Sequence, residues 1–208
     1  MAQAKQHSLW FHLFDVFLNI VIIVAIVAAI RTFLVSPFQV EGNSMLSTLE
    51  HKEYIIINKF AYLIGEPKRG DVVVFRPPTD PKKHYVKRVI GLPGDEVIIR
   101  DGKVYLREGS QGEEIELPEA YLDERNAGRT FRHPPSMGDK TEARYSVPEG
   151  QYFLLGDNRQ GSLDSRSFTE EDGTPEPSVA LKHIKGRVWF VALPITKIHA
   201  LELPEYGF

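Results

Sequence analysis

From Leu13 to Ile30 the chain reads LFDVFLNIVIIVAIVAAI, 18 residues in which only Asp15 and Asn19 are polar. A helix apolar on every side cannot satisfy itself against one face of a core; it needs an apolar medium all round. At about 1.5 Å per residue this run spans about 27 Å, close to the hydrocarbon thickness of a bilayer. Trp10 and Phe11 precede it and Arg31 follows, where aromatic rings and a snorkelling cation suit the two interfaces. Asp15 and Asn19 are four apart and share one face near the N-terminal end; either they meet another helix or water, or they sit at headgroup depth, and their position favours the second.

A cleavable leader is the alternative, with Val27-Ala28-Ala29 as its small-residue site. The apolar run exceeds the usual leader core of about 7–15 residues. It also continues past that site through Phe33, Leu34, Val35 and Phe38. The reading is therefore a retained anchor over residues 1–35 and a catalytic or binding domain over 36–208. Charge does not orient the anchor, because Lys5 and the amino terminus stand before it and Arg31 after it.

Beyond Arg31 the pattern shortens into strands separated by turn residues. Phe38–Glu41, Glu53–Lys59, Asp71–Phe75, His84–Ile90, Gln151–Leu155 and Gly186–Leu193 read as strands. Glu96–Arg100 and Lys103–Arg107 flank Asp101-Gly102, a strong hairpin signal. No long amphipathic helix follows residue 60. The fold class expected is mostly β, antiparallel, sandwich or barrel-like. Glu108–Pro148 reads as variable loops with room for one weaker strand, and Ser167–Pro177 as an exposed acidic loop.

The chain has 208 residues, 25% charged, a net charge of −3 and no cysteine. That balance gives no reason to expect nucleic acid as a partner. Without cysteine there is no thiol nucleophile, no disulfide framework and no Cys-ligated metal.

Three local groups carry chemistry. Gly42-Asn43-Ser44-Met45 is a glycine-containing turn after a strand, a setting that exposes a serine hydroxyl; a lone serine there is ordinarily just a polar loop. It is not the hydrolase elbow, because Leu46 stands where that motif needs glycine. Next comes Lys87-Arg88-Val89-Ile90-Gly91-Leu92-Pro93-Gly94-Asp95. Side chains alternate along a strand, so Tyr85, Lys87 and Val89 share what reads as the buried face and His84, Val86 and Arg88 the other. Burial lowers a lysine's pKa, and a base near neutrality needs a drop of about 3 units, or about 4 kcal/mol. The plainer reading is a snorkelling lysine with a dry stem. The third group, Gly156-Asp157-Asn158-Arg159-Gln160-Gly161-Ser162-Leu163-Asp164-Ser165-Arg166, reads as a loop held by its own ion pairs and Asx-type bonds, or as a structural turn.

In that order, the serine turn, K-R-V-I-G-L-P-G-D and G-D-N-R-x-x-S-x-D-S-R resemble the type I signal peptidases, membrane-bound serine proteases with a Ser-Lys dyad. Tyr54–Tyr62 and Val188–Pro194 also look like family segments. The resemblance implies a membrane-bound endopeptidase that removes signal peptides through an acyl-enzyme, with Ser44 as nucleophile and Lys87 as general base. Ser162 would hydrogen-bond Lys87. Asp164 and Arg166 would brace the loop as an ion pair, supported by Asp157, Asn158, Arg159 and Arg88. Main-chain donors at Gly42, Asn43, Ser44 and Met45 would hold the oxyanion. The family fold is a β-sheet protease domain. Its substrates would be preproteins with small residues at −1 and −3, and its other partner the lipid bilayer. No metal or cofactor is implied. The location implied is the bacterial cytoplasmic membrane, single-pass, with the catalytic domain on the extracytoplasmic side.

Two positions depart from the family. Ser47 stands where many members have proline, removing a fixed φ from the turn, although its hydroxyl has the capacity for a local bond. Gly42 stands where some carry a serine donor. Those losses keep alive a catalytically inactive, membrane-tethered β domain that binds peptides or partners. A Ser-His-Asp hydrolase would need His84 as base, and that residue is expected to face away from Lys87.

Overall fold

The computed structural model describes residues 9–109, 112–132 and 141–207; Lys5 and the amino terminus, invoked above for orientation, lie outside them. The apolar run forms helix α1 (Leu9–Ala29), which begins four residues before the run itself. One π-type turn (Ile30–Leu34) leads directly into strand β1 (Val35–Gln39). Trp10 to Leu34 is long and apolar enough to cross a membrane, with mean hydropathy 2.8, and none of it is buried against protein. Asn19 donates its amide to the Asp15 carbonyl at 2.8 Å, which satisfies one of the two polar groups within the helix.

The remaining elements are β2 (Tyr54–Asn58), a one-turn helix α2 (Ala61–Ile64), β3 (Val72–Phe75), β4 (Tyr85–Gly91), β5 (Asp95–Arg100), β6 (Lys103–Glu108), β7 (Glu114–Glu116), β8 (Ala143–Ser146), β9 (Gln151–Leu155), β10 (Val179–Ala180), β11 (Ile184–Leu193) and β12 (His199–Ala200). They form two antiparallel sheets. One runs β1-β2-β11-β3-β4-β9-β10 with β12 added to β11; the other runs β7-β6-β5-β8. Among the described residues neither path closes on itself, and the expected mostly β, antiparallel domain is found.

The sequence explains the packing. Alternation in β2 puts Ile55 and Ile57 into a cluster with Val72, Val74 and Val188. The other face of the same sheet carries Val73, Phe75, Val89 and Leu154 into a second cluster. The run Val72–Phe75 is therefore buried on both sides, which is why it does not alternate. A third cluster, with Ile90, Val97, Leu106 and Phe153, joins the two sheets. Asp101-Gly102 makes the expected tight hairpin, with φ of 52° and 80°.

Two segments read as variable loops are more ordered than expected where described. Within Glu108–Pro148 lie β7, β8 and a turn that packs on the third chemical motif; residues 110–111 and 133–140 lie outside the described set. In Ser167–Pro177, Phe168 is only 2% exposed and anchors an otherwise exposed acidic turn. A single apolar anchor residue is easily overlooked inside a Glu/Asp-rich stretch.

Candidate active site

The Ser44 turn leaves β1 and returns to β2, pinned at its base by Val40 N–H to Glu53 O at 2.8 Å and Lys52 N–H to Val40 O at 2.9 Å. Inside it, Thr48 and Leu49 N–H both donate to Met45 O at 2.8 Å, and Met45 and Leu49 plug into the core. Those bonds hold the turn where the family's proline would. Ser47, in contrast, is exposed, and among the described residues its hydroxyl forms no bond; the suggested local substitute is absent.

Ser44 Oγ lies 2.7 Å from Lys87 Nζ, which also donates to Val86 O at 2.8 Å. Lys87 is 2% exposed, and its Nζ stands 5.5 Å from the centre of the Tyr85 ring. Burial is the main influence on its amine, with Arg166 acting in the same direction. Asp164 and Asp157 oppose them, and the pKa is pulled down to about 8. At pH 7 about a tenth of the amine is then neutral.

Arg88 was expected on the face opposite the buried one. In fact it is also 2% exposed, because the loop from residue 156 covers that face. It donates to Asp157 from Nε at 2.9 Å and Nη2 at 2.7 Å, and from Nη1 to Gly70 O at 2.9 Å. Thr48 Oγ1 donates to the same Asp157 carboxylate, tying the Ser44 turn into the pair.

The third motif closes the site. Asp164 and Arg166 form a buried ion pair, Nε to Oδ1 at 2.8 Å and Nη2 to Oδ2 at 2.7 Å. Burial works against the Asp164 charge, but Arg166 and the Gly156 N–H hold its carboxyl below the usual range. Arg159, fully buried, pairs with Glu119 at 2.7 Å and donates to Thr130 at 2.8 Å and Tyr121 at 3.1 Å. Sequence reading missed Glu119, Tyr121 and Thr130. They sit in a stretch without periodicity, and only the tertiary contact reveals them.

Ser162 corrects an expectation. It is buried, and the expected bond to Lys87 is not made. The amine spends its donors on Ser44 and Val86, while Ser162 Oγ lies against Gly156 and on the side of the Asp164 carboxylate, whose charge it favours. A Cβ on Gly156 would stand 2.1 Å from that Oγ and 2.5 Å from Ser44 O, so only glycine lets the two loops approach. Gly42 is a second correction. Its N–H donates to His51 Nδ1 at 3.1 Å and is not available to an oxyanion. The N–H groups of Asn43, Ser44 and Met45 donate to no acceptor among the described residues.

A cleft of about 380 Å³ opens in front of this pair, walled by Phe38–Met45 on one side and Lys83–Lys87 on the other, with Gly161 and Leu163 at its end. His84 lines this cleft and its ring meets Phe38 at 5.3 Å, so it does not face away from Lys87's surroundings. Strand β4 starts only at Tyr85, and the alternation used to orient His84 does not reach it.

A family model described as "Signal peptidase, peptidase S26" matches residues 13–193. A signal peptidase I of Bacillus licheniformis is similar at 36% identity, covering 95% of this chain and 98% of that protein. Another of Pseudomonas fluorescens is 33% identical over 88% of this chain and 73% of that protein. A solved signal peptidase I from Enterococcus faecalis V583 is 32% identical, with a TM-score of 0.43, covering 60% of this chain and 97% of that one.

Proposed function

The chain belongs to the signal peptidase family, peptidase S26, and from that premise we propose that it is a membrane-anchored serine endopeptidase that removes signal peptides from exported preproteins. The observation that carries this reading is the 2.7 Å contact between Ser44 Oγ and a buried lysine whose pKa is pulled down to about 8. A neutral Lys87 accepts the Ser44 proton as the hydroxyl attacks the scissile carbonyl. The resulting ammonium returns a proton to the departing amine. Water, deprotonated by the same lysine, then clears the acyl-enzyme and frees Ser44.

The developing oxyanion is held by main-chain donors of the serine turn, chiefly Ser44 and Met45 N–H; such donors are worth about 3–4 kcal/mol each. The substrate lies extended in the cleft beside the free edge of β1. The −1 and −3 side chains lie in the part of the cleft nearest Ser44 and are small, as in the substrates of the family. Helix α1 spans the bacterial cytoplasmic membrane with residues 36–208 on the extracytoplasmic side. There the short link from Arg31 to Ser44 keeps the dyad near the surface where signal peptides emerge.

The test is incubation of the detergent-solubilised protein with a preprotein whose signal peptide carries Ala at −1 and −3. Mass measurement should find a single cut after −1. Intact preprotein with the wild-type enzyme, or a cut that persists in Ser44→Ala, overturns the reading.

A further inference from the structure

Asn158 makes two bonds to successive carbonyls of the serine turn. Its side-chain Nδ2 donates to Asn43 O at 2.9 Å and its backbone N–H to Ser44 O at 3.1 Å. In a trans peptide the C=O of one residue and the N–H of the next point in opposite directions. Fixing Asn43 O therefore fixes the Ser44 N–H, and fixing Ser44 O fixes the Met45 N–H. Both are directed away from the 156–161 loop and use no acceptor among the described residues.

The residue is itself held still. Gly161 N–H donates to Asn158 O at 3.1 Å, and a Cβ on Gly161 would stand 2.9 Å from Asn158 Nδ2, so the amide lies flush against that glycine. Apart from Asn158, the bond that Asn43 O accepts is a long one, 3.3 Å from Leu46 N–H.

The geometry points to Asn158 as a positioning residue that aligns the two oxyanion donors of the Ser44 turn. Among the described residues it makes no hydrogen bond to Lys87 or to Ser44 Oγ, so it acts through the turn's backbone. Its effect is confined to the state in which negative charge develops, when donor direction matters most. This inference rests on the Ser44 reading given above.

The decisive variant is Asn158→Ala in the full-length, detergent-solubilised protein, which removes the side-chain bond and keeps the backbone one. Three readouts are compared with wild type: kcat and KM on a preprotein, the pH midpoint, and affinity for two probes. The probes are a peptide boronic acid ending in an Ala analogue, which forms a tetrahedral adduct on serine, and the same peptide as its carboxamide. Removing a whole oxyanion donor lowers kcat by about 10²–10³, and misaligning one is expected to lower it about tenfold. We expect that fall with KM unchanged, the same loss in boronate affinity, unchanged carboxamide affinity and an unchanged pH midpoint.

Retained kcat, a KM rise at constant kcat, or equal loss for both probes overturns the inference. So does loss of the cooperative thermal transition in both Asn158→Ala and Asn158→Asp, since that assigns the residue to stability. Failure of the boronate to modify Ser44 in the wild type overturns the Ser44 reading instead.

Discussion

The two faces of β4 each bury a cation, and the two meet opposite fates. Lys87 and Arg88 are consecutive and equally buried, at 2% exposure. Arg88 keeps its charge: burial works against it, but two charge-assisted bonds to Asp157 outweigh that and hold its pKa above the ordinary value. Among the described residues Lys87 is hydrogen-bonded only to a hydroxyl and a carbonyl, so desolvation wins. Guanidinium suits the first role because it forks onto a carboxylate and does not deprotonate; an amine suits the second because it does. A paired cation fixes structure, and an unpaired one is left free to act as a base.

The largest expected effect removes the chemistry on one face and leaves the other intact. Lys87→Met or Ser44→Ala should lower product formation by about 10³-fold or more, measured by mass spectrometry of a processed preprotein. At pH 7 Lys87→Met should also raise stability. The amine has a folded pKa of about 8 against 10.5 unfolded, which corresponds to about 3 kcal/mol. The unfolded chain binds more protons between those two values, so wild-type stability rises as pH climbs through that window. Calorimetry showing Lys87→Met less stable than wild type would break the contrast.

On the opposite face, Arg88→Met leaves Asp157 buried without its partner. A loss of about 3–5 kcal/mol follows, seen as a drop of about 10 °C in melting temperature. A neutral outcome would mean that Asp157 does not need the arginine. Smaller again is the pH response. kcat/KM should rise about tenfold per unit toward a plateau above about pH 8 as Lys87 loses its proton. Asp164→Asn should move that midpoint to lower pH, because it removes a charge that favours the ammonium; a shift upward would contradict the electrostatics. The smallest effect belongs to His84→Ala, which lines the cleft without joining the pair. It should alter KM and leave the pH midpoint in place, and a lost plateau would make His84 part of the proton path.

Much of this layout was legible in the chain. The apolar run announced α1, the β-branched runs announced β2, β3 and β11, and Asp101-Gly102 announced its hairpin, because each is a pattern within a few neighbouring residues. The three chemical groups also stood out locally. What misled was alternation applied past its range: His84 precedes β4 and escapes the face assigned to it, while Arg88 is covered by a loop that no local pattern foretells. Ser162 kept its place near the dyad without making its expected bond, since Gly156 leaves room for its hydroxyl to turn aside.

The sequence by itself determined the anchor, the strands, the hairpin and the identity of the polar groups, all matters of local backbone preference and side-chain spacing. Tertiary structure decided which groups touch. Ser44 and Lys87 are 43 residues apart in the chain, Arg88 and Asp157 69, and Thr48 and Asp157 109. Whether a buried amine is ready to lose its proton or a buried guanidinium keeps its charge depends on burial and on the charged groups packed around it. Only packing brings such distant residues together.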